Sequence, residues 1–372
     1  MKAIALYLPQ FHEIKENNEW WGEGFTEWTN VKNAKPLYPG HDQPKMPLNN
    51  NYYCLLDDSV MEWQICLAKN NGIYGFCFYH YWFNGHLLLE KPIENYLNNS
   101  NLNFPICLCW ANPDWTKIWA GKGSEVLISH DYTDMDDLEA HFQYFLRYFK
   151  DERYIKEDGK PVLVIYSPDE IPNLSETVAF LRKRIIEEGF PGIVLMYQYV
   201  VSEKKEPQTR QLFDYKIHFQ PVHALHEIEA SKKSGGFIKS LRIINDLLLK
   251  TFNFSLSDHF LKLRKNKYDD VWEKIIDFDP VDKKDIAGAF VNWDNTPRRG
   301  KSGRVIIDSS PQKFGDYMKK LIKKINSEYG NDYIFITAWN EWSEGSYLEP
   351  DSNFGGAYLK ALREALVSDE QI

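Results

Sequence analysis

Two glutamates three residues apart, Glu341 and Glu344, stand in the stretch Trp339-Asn340-Glu341-Trp342-Ser343-Glu344-Gly345-Ser346-Tyr347-Leu348-Glu349-Pro350. Where a strand passes into a loop, such a pair can turn into one pocket. Glycosidic cleavage usually takes two carboxyl groups: one gives a proton to the leaving oxygen, the other acts at or near the anomeric carbon. One of them should have a raised pKa, which apolar surroundings produce, and Trp339 and Trp342 can provide those surroundings. A bare Glu-x-x-Glu more often caps the next helix with its charge. Flanked by Asn, two Trp and Gly after an apolar run, the pair reads as catalytic.

A sugar site also needs flat faces and hydrogen-bonding edges. The chain has 12 Trp, 22 Tyr and 22 Phe, 15% of its residues, many of them beside Asn, Gln, His, Asp or Glu. Large aromatic rings also fill cores, so position matters more than number. The residues expected to contact substrate are Tyr7, His12, Trp28, His80, Tyr81, Trp110, Asn112, Tyr197, Gln198, Trp293, Asp294, Trp339, Asn340 and Trp342. Most of them lie at the ends of apolar segments.

Those segments are Lys2–Leu8, Ile73–Tyr79, Pro105–Trp110, Pro161–Tyr166, Ile193–Tyr199, Tyr215–Phe219, Ile286–Asn292 and Tyr333–Trp339. Their length and their β-branched and aromatic content suit buried parallel strands. Between them, Met61–Asn70, Leu138–Phe149, Glu176–Glu187 and Phe314–Ser327 carry apolar residues at helical spacing. Helix starts are marked at Asp57, Ser175 and Ser310-Pro311, and stops at Gly72 and Gly189. Eight strands alternating with helices predict an α/β fold, a single (β/α)8 TIM barrel, with the site at the C-terminal strand ends. An open doubly wound sheet would more often carry a Gly-rich phosphate loop after its first strand; Pro9-Gln10-Phe11-His12 follows here. Two connections, about 10–59 and 222–285, are too long for plain crossovers and read as site-building insertions in one domain, the second with an apolar patch at Phe252 to Phe260.

The remaining signals exclude more than they assign. With 44 Lys+Arg against 53 Asp+Glu the net charge is −9, which argues against nucleic-acid binding. A 43% hydrophobic composition excludes a disordered chain. No apolar run has the ~18–20 residues needed to span a bilayer, and the N-terminal segment reads as a strand rather than a signal peptide, so a cytoplasmic location is expected. The five cysteines, Cys54, Cys66, Cys77, Cys107 and Cys109, have no framework spacing and read as reduced. His218, His223 and His226 lack the carboxylate or Cys spacing that completes a zinc set. Asp131, Asp134, Asp136 and Asp137 read as a solvated helix start. No metal and no cofactor is expected, and oligomeric state is not encoded. Glu23 and Glu27 reach the pocket rim or hold the first loop. Arg298 and Arg299 read as solvated loop residues, with an anionic group such as a carrier phosphate as the functional alternative.

Asn340-Glu341-Trp342-Ser343-Glu344-Gly345-Ser346 resembles the N-E-W-H-E-G-T signature of glycoside hydrolase family 99, the endo-α-mannosidases. The whole chain resembles more closely the WbsX-like proteins, often labelled glycosyltransferases. The motifs that carry this likeness are Tyr7-Leu8-Pro9-Gln10-Phe11-His12, Trp20-Trp21-Gly22-Glu23-Gly24-Phe25-Thr26-Glu27-Trp28, Gly75 to Phe83, Cys109-Trp110-Ala111-Asn112, Trp293-Asp294-Asn295-Thr296 and Ala338 to Asp351. The resemblance implies a (β/α)8 barrel acting on an oligosaccharide or polysaccharide. It also implies retention through an anhydro-sugar, with Glu341 as the base on the sugar's 2-hydroxyl and Glu344 as the acid/base. Two positions depart: Ser343 replaces the signature His, and Pro113 stands where an acidic residue is expected, with Asp114 as its candidate substitute. The expected activity is retaining glycoside hydrolysis of a bacterial polysaccharide. The alternatives are a glycosyltransferase of O-antigen, capsule or lipopolysaccharide synthesis and a non-catalytic glycan-binding barrel.

Overall fold

A computed structural model describes residues 1–117, 125–200, 206–231 and 263–367. Eight strands form one parallel sheet: β1 (Lys2–Tyr7), β2 (Gly75–Phe83), β3 (Ile106–Trp110), β4 (Lys160–Ile165), β5 (Val194–Tyr199), β6 (Tyr215–His218), β7 (Asp285–Phe290) and β8 (Tyr333–Thr337). Each pairs with the next, and the sheet closes because Ile4 of β1 is in register with both Gly75 of β2 and Phe335 of β8. The molecule is a (β/α)8 barrel. The strands are apolar on both faces because one face fills the barrel and the other meets helices; every residue of β2, β3, β7 and β8 is buried. At Gly288 of β7 a Cβ would stand 1.8 Å from the His218 carbonyl oxygen, so only glycine fits that strand contact.

The outer ring contains α1 (Asp58–Asn70), α2 (Lys91–Asn98), α3 (Met135–Phe149), α4 (Leu174–Glu187), α5 (Glu206–Leu212), α6 (Tyr268–Ile276), α7 (Pro311–Glu328) and α8 (Ala357–Val367). Their starts follow capping chemistry. Asp57 accepts from Ser59 N at 2.9 Å, Asp134 from Asp136 N at 2.9 Å, and Ser310 from Lys313 N at 3.2 Å. The acidic run is thus the capped start of α3. Helix α4 begins at Leu174, just before the expected Ser175. Cys77, Cys107 and Cys109 are buried in the barrel wall, while Cys54 and Cys66 are exposed.

Strand β2 runs to Phe83, past the expected end at Tyr79, because its last residues pair antiparallel with His86–Leu88. His80, Tyr81 and Trp82 are therefore strand residues that alternate between the two faces. Of the two insertions, 10–57 carries the short helices Lys15–Trp21 and Glu27–Asn33. The second begins with the helix Val222–Ser231 and returns through Arg264–Lys267, which pairs with Arg304–Ile307. The expected patch at Phe252 to Phe260 lies outside the described residues. Among the described residues no helix is long and apolar enough to cross a membrane.

Candidate active site

After β8 the chain makes a tight antiparallel hairpin, with Asn340 opposite Tyr347 and Glu341 opposite Ser346. Its turn, Trp342–Glu344, closes at Gly345 in the left-handed region (φ +63°), where glycine carries no steric penalty. Four residues fix the hairpin. Asn340 bridges the end of β1, accepting from Leu8 N at 2.8 Å and donating to Leu8 O at 3.0 Å. Ser346 Oγ donates to Thr337 O at 2.8 Å. Asp294 N donates to the Glu344 carbonyl at 2.6 Å. Trp342 stacks on Tyr347 at 3.8 Å and donates through Nε1 to Glu349 at 2.6 Å. Glu349, at the base of the site, also accepts from Gln64 at 2.7 Å and Tyr53 at 2.9 Å; burial pushes its carboxyl up to about 7 against these donors.

So held, Glu341 and Glu344 both line a cavity of about 440 Å³ at the C-terminal end of the barrel. They share one guanidinium. Arg298, on the short helix Thr296–Arg299 after β7, donates through Nη1 to Glu344 at 2.7 Å and through Nη2 to Glu341 at 3.2 Å. Its Nε donates to a third carboxylate, Glu27, at 2.9 Å, and Ser343 Oγ donates to the same Glu27 oxygen. Burial opposes the Arg298 charge, but the three carboxylates keep the guanidinium firmly protonated. Three carboxyls around one cation leave an excess of negative charge. Burial first, then the neighbouring Glu344 and Glu27, push Glu341 up to about 8, although Arg298 pulls it down. Burial and the neighbouring carboxylates thus favour the protonated form of Glu341. Burial and these carboxylates also push the hydroxyls of Tyr81 and Tyr166 up, so both face the cavity as neutral groups.

Aromatic faces and polar edges complete the wall. Trp21, Phe25, Trp115, Phe219 and Trp293 line it, with Gln10 and Asn30. Among the residues expected to contact substrate, Tyr81 and Trp293 line the cavity. Strand alternation turns others outward. His80 bonds His141 of α3 at 2.9 Å, Trp110 lies edge-on to the same imidazole, and Tyr197 packs on Phe213. Tyr7 donates to Gln64 of α1 at 2.7 Å. Asn340 and Trp342 of the hairpin are buried, as are Trp339 before it and Trp28 of the first loop, which packs on Trp342. His12 is buried, and burial pushes its imidazole down to about 4. Gln198 is buried in β5. Asn112 fastens two loops, donating to Ser167 O and accepting from Ser167 N, each at 2.8 Å. Asp294 is buried; burial raises its carboxyl, but donors from His41, Thr296 and Gln43 hold it below the ordinary range. Pro113 lines the cavity, whereas Asp114 is exposed and accepts from His130 N.

Two residues matter more than the sequence indicates. Arg298 is not a solvated loop residue: its side chain is 14% exposed and sits among carboxylates. Glu27 is buried beside it, while Glu23 is exposed. The available signal was the surplus of acidic residues in the conspicuous motifs, which needs a buried counter-charge. Of the three histidines weighed as metal ligands, His218 and His223 bond each other at 3.1 Å and His218 bonds Asp285 at 3.0 Å, while His226 lines the cavity.

Comparison with known proteins gives consistent results. Over 366 residues the chain is 35% identical to the uncharacterized protein WxcX of Xanthomonas campestris pv. campestris, covering 98% of this chain and 49% of that protein. WxcX of a second strain is 34% identical over 370 residues, with the same coverage. The chain thus spans about half the length of these relatives. Among solved structures, the GH99 endo-alpha-mannosidase from Bacteroides thetaiotaomicron superposes with a TM-score of 0.56 at 15% identity, covering 99% of this chain and 96% of that one. A glycoside hydrolase-like protein superposes with a TM-score of 0.56 at 13% identity, covering 98% and 93%. These likenesses establish the barrel. The family model described as Glycosyltransferase WbsX matches residues 3–362, and the chain belongs to that family.

Proposed function

We propose that the protein is a carbohydrate-active enzyme that cleaves glycosidic bonds of a bacterial polysaccharide with retention of configuration, using Glu341 and Glu344. The observation that supports this reading is the pair itself: two carboxyls on one guanidinium, in a cavity walled by aromatic rings. Glu344 gives a proton to the leaving glycosidic oxygen. Glu341, as carboxylate, takes the proton of the sugar's 2-hydroxyl, and that oxygen bonds to the anomeric carbon as the leaving group departs. Water then adds to the anhydro-sugar. Glu344 takes the water's proton, Glu341 returns its proton to the 2-oxygen, and the configuration is retained. A raised pKa makes Glu341 a stronger base while reducing the fraction that is ionised.

The family's description favours a transfer reaction, and the same pair performs it when a sugar hydroxyl replaces water in the second step. The test is turnover on a mannan- and rhamnan-like oligosaccharide panel by wild type, Glu341→Gln and Glu344→Gln, with folding checked by melting. Release of new reducing ends by wild type and its loss in both variants supports hydrolysis. New glycosidic linkages, or nucleotide-sugar binding by calorimetry, support transfer. Glycan binding without any turnover leaves a lectin-like barrel, and wild-type rates in both variants remove the assignment.

A further inference from the structure

Among the described residues, three side chains of the cavity can carry positive charge: Arg298, Arg299 and His226. Arg298 is committed to three carboxylates. His226, on the helix Val222–Ser231, is kept neutral mainly by burial, against the pull of Glu229. Arg299 differs from both. It is the last residue of the helix that presents Arg298, and it is half-buried in the cavity wall. Its backbone is engaged, N to Asn295 O at 3.0 Å and O from Ser302 Oγ at 2.6 Å. Its guanidinium has no hydrogen bond or ion pair to any described residue. Other half-buried arginines are tied down: Arg153 to Asp151, Arg184 to Glu139 and Arg210 to Asp285.

A half-buried guanidinium that makes no hydrogen bond to a described residue keeps only part of its hydration, and an oxyanion arriving in the cavity can replace the rest. The carboxylates of the cavity do not serve, because Glu27, Glu341 and Glu344 all turn to Arg298. Whatever occupies the cavity therefore meets an acidic cluster at the hairpin and, in the same wall, a planar cation unpaired among the described residues. A neutral glycan offers that cation only hydroxyl and ring oxygens as acceptors. A carboxylate or phosphate group matches its fork with two parallel hydrogen bonds.

We infer that Arg299 forms an anion subsite of the cavity and that the glycan bound there carries a carboxylate or phosphate group next to the bond at Glu341 and Glu344. The inference rests on the glycan reading above and names the substrate class that reading leaves open. Uronic acids and phosphate-bearing glycans share this chemistry, and His226 on the facing insertion can add a neutral imidazole hydrogen bond to the same group.

The test uses the full chain carrying Glu344→Gln, so that binding is read without turnover. Calorimetry is run with three probes: an oligomannuronate, its carboxyl-reduced oligomannose counterpart, and inorganic pyrophosphate. Each is repeated with Arg299→Gln and Arg299→Lys added, and melting confirms folding. The expected result is binding of the oligomannuronate at least about tenfold tighter than the reduced sugar, the size of one charge-assisted pair. That preference disappears in Arg299→Gln and is partly kept in Arg299→Lys. Pyrophosphate binding that depends on Arg299, with no preference for the uronate, assigns the anion as phosphate. Equal binding of acidic and neutral sugars, unchanged by Arg299→Gln, overturns the subsite and leaves the glycan reading in place. Pyrophosphate bound through Arg299 with neither sugar bound supports the subsite and removes the glycan reading. No binding by any probe overturns both.

Discussion

Replacing Arg298 by Gln tests the electrostatics of the site directly. The guanidinium touches Glu341 at 3.2 Å, Glu344 at 2.7 Å and Glu27 at 2.9 Å. It is the leading influence of opposite sign among the charges acting on Glu341. At an effective dielectric of about 20, opposite charges about 4 Å apart attract by roughly 4 kcal/mol, an upper bound of about three pKa units. Relaxation, and protonation of the other carboxyls, reduce this, so a rise of at least about one unit is expected. With Glu341 acting as a base from about 8, kcat/KM of the wild type climbs about tenfold per pH unit below that point. In Arg298→Gln the acidic limb moves up by at least about one unit, and activity at pH 7 falls at least about tenfold. Arg298→Lys keeps a charge without the three-way fork and moves the limb less. The assay is initial rate against pH on a cleaved oligosaccharide. The position of the limb does not depend on the fraction folded, which matters because breaking a buried ion pair costs about 3–5 kcal/mol. An unmoved limb refutes the coupling, and a limb that falls rather than rises through pH 8 refutes the base role of Glu341.

Other outcomes follow from the same geometry. Asn340→Ala removes two buried hydrogen bonds to Leu8 and leaves both backbone groups unpaired, so unfolding stability drops by about 2–4 kcal/mol in denaturant titration. An unchanged midpoint contradicts that role. Ser343→Ala strips a donor from Glu27 and costs about 1–2 kcal/mol of stability, measured the same way. Thermal stability should peak near pH 6.5. Below it, the unfolded chain takes up protons that the buried His12, His80, His130 and His223 refuse, at up to about 1.4 kcal/mol per group per pH unit. Above it the folded chain binds more protons than the unfolded one. Glu349 keeps its proton to about 7 and Glu341 to about 8, so stability falls across that window. Melting temperatures that rise steadily from pH 5 to 8.5 contradict these burials.

The barrel was legible because its strands are short apolar runs separated by helix-patterned stretches, and each of the eight expected segments contains an observed strand or most of one. The carboxylate hairpin was legible for a local reason: Asn340, Ser346 and Gly345 each serve the turn that presents Glu341 and Glu344. Which face each strand-end residue uses was not legible. It depends on where a strand stops, and β2 continues four residues beyond Tyr79. That continuation sends Tyr81 inward and His80 outward to α3. Long-range pairing was equally hidden. Arg298 meets Glu27 across 271 residues of sequence, and His41 and Gln43 reach Asp294 across more than 250. No local pattern encodes such contacts.

The central claim is a retaining reaction that needs both carboxyls. Proton NMR of the anomeric signals in the first minutes of wild-type turnover tests it most directly, alongside Glu341→Gln and Glu344→Gln. The account predicts that the first product has the anomeric configuration of the substrate and that neither variant forms it. A first product of inverted configuration, or one made at the wild-type rate by either variant, contradicts it.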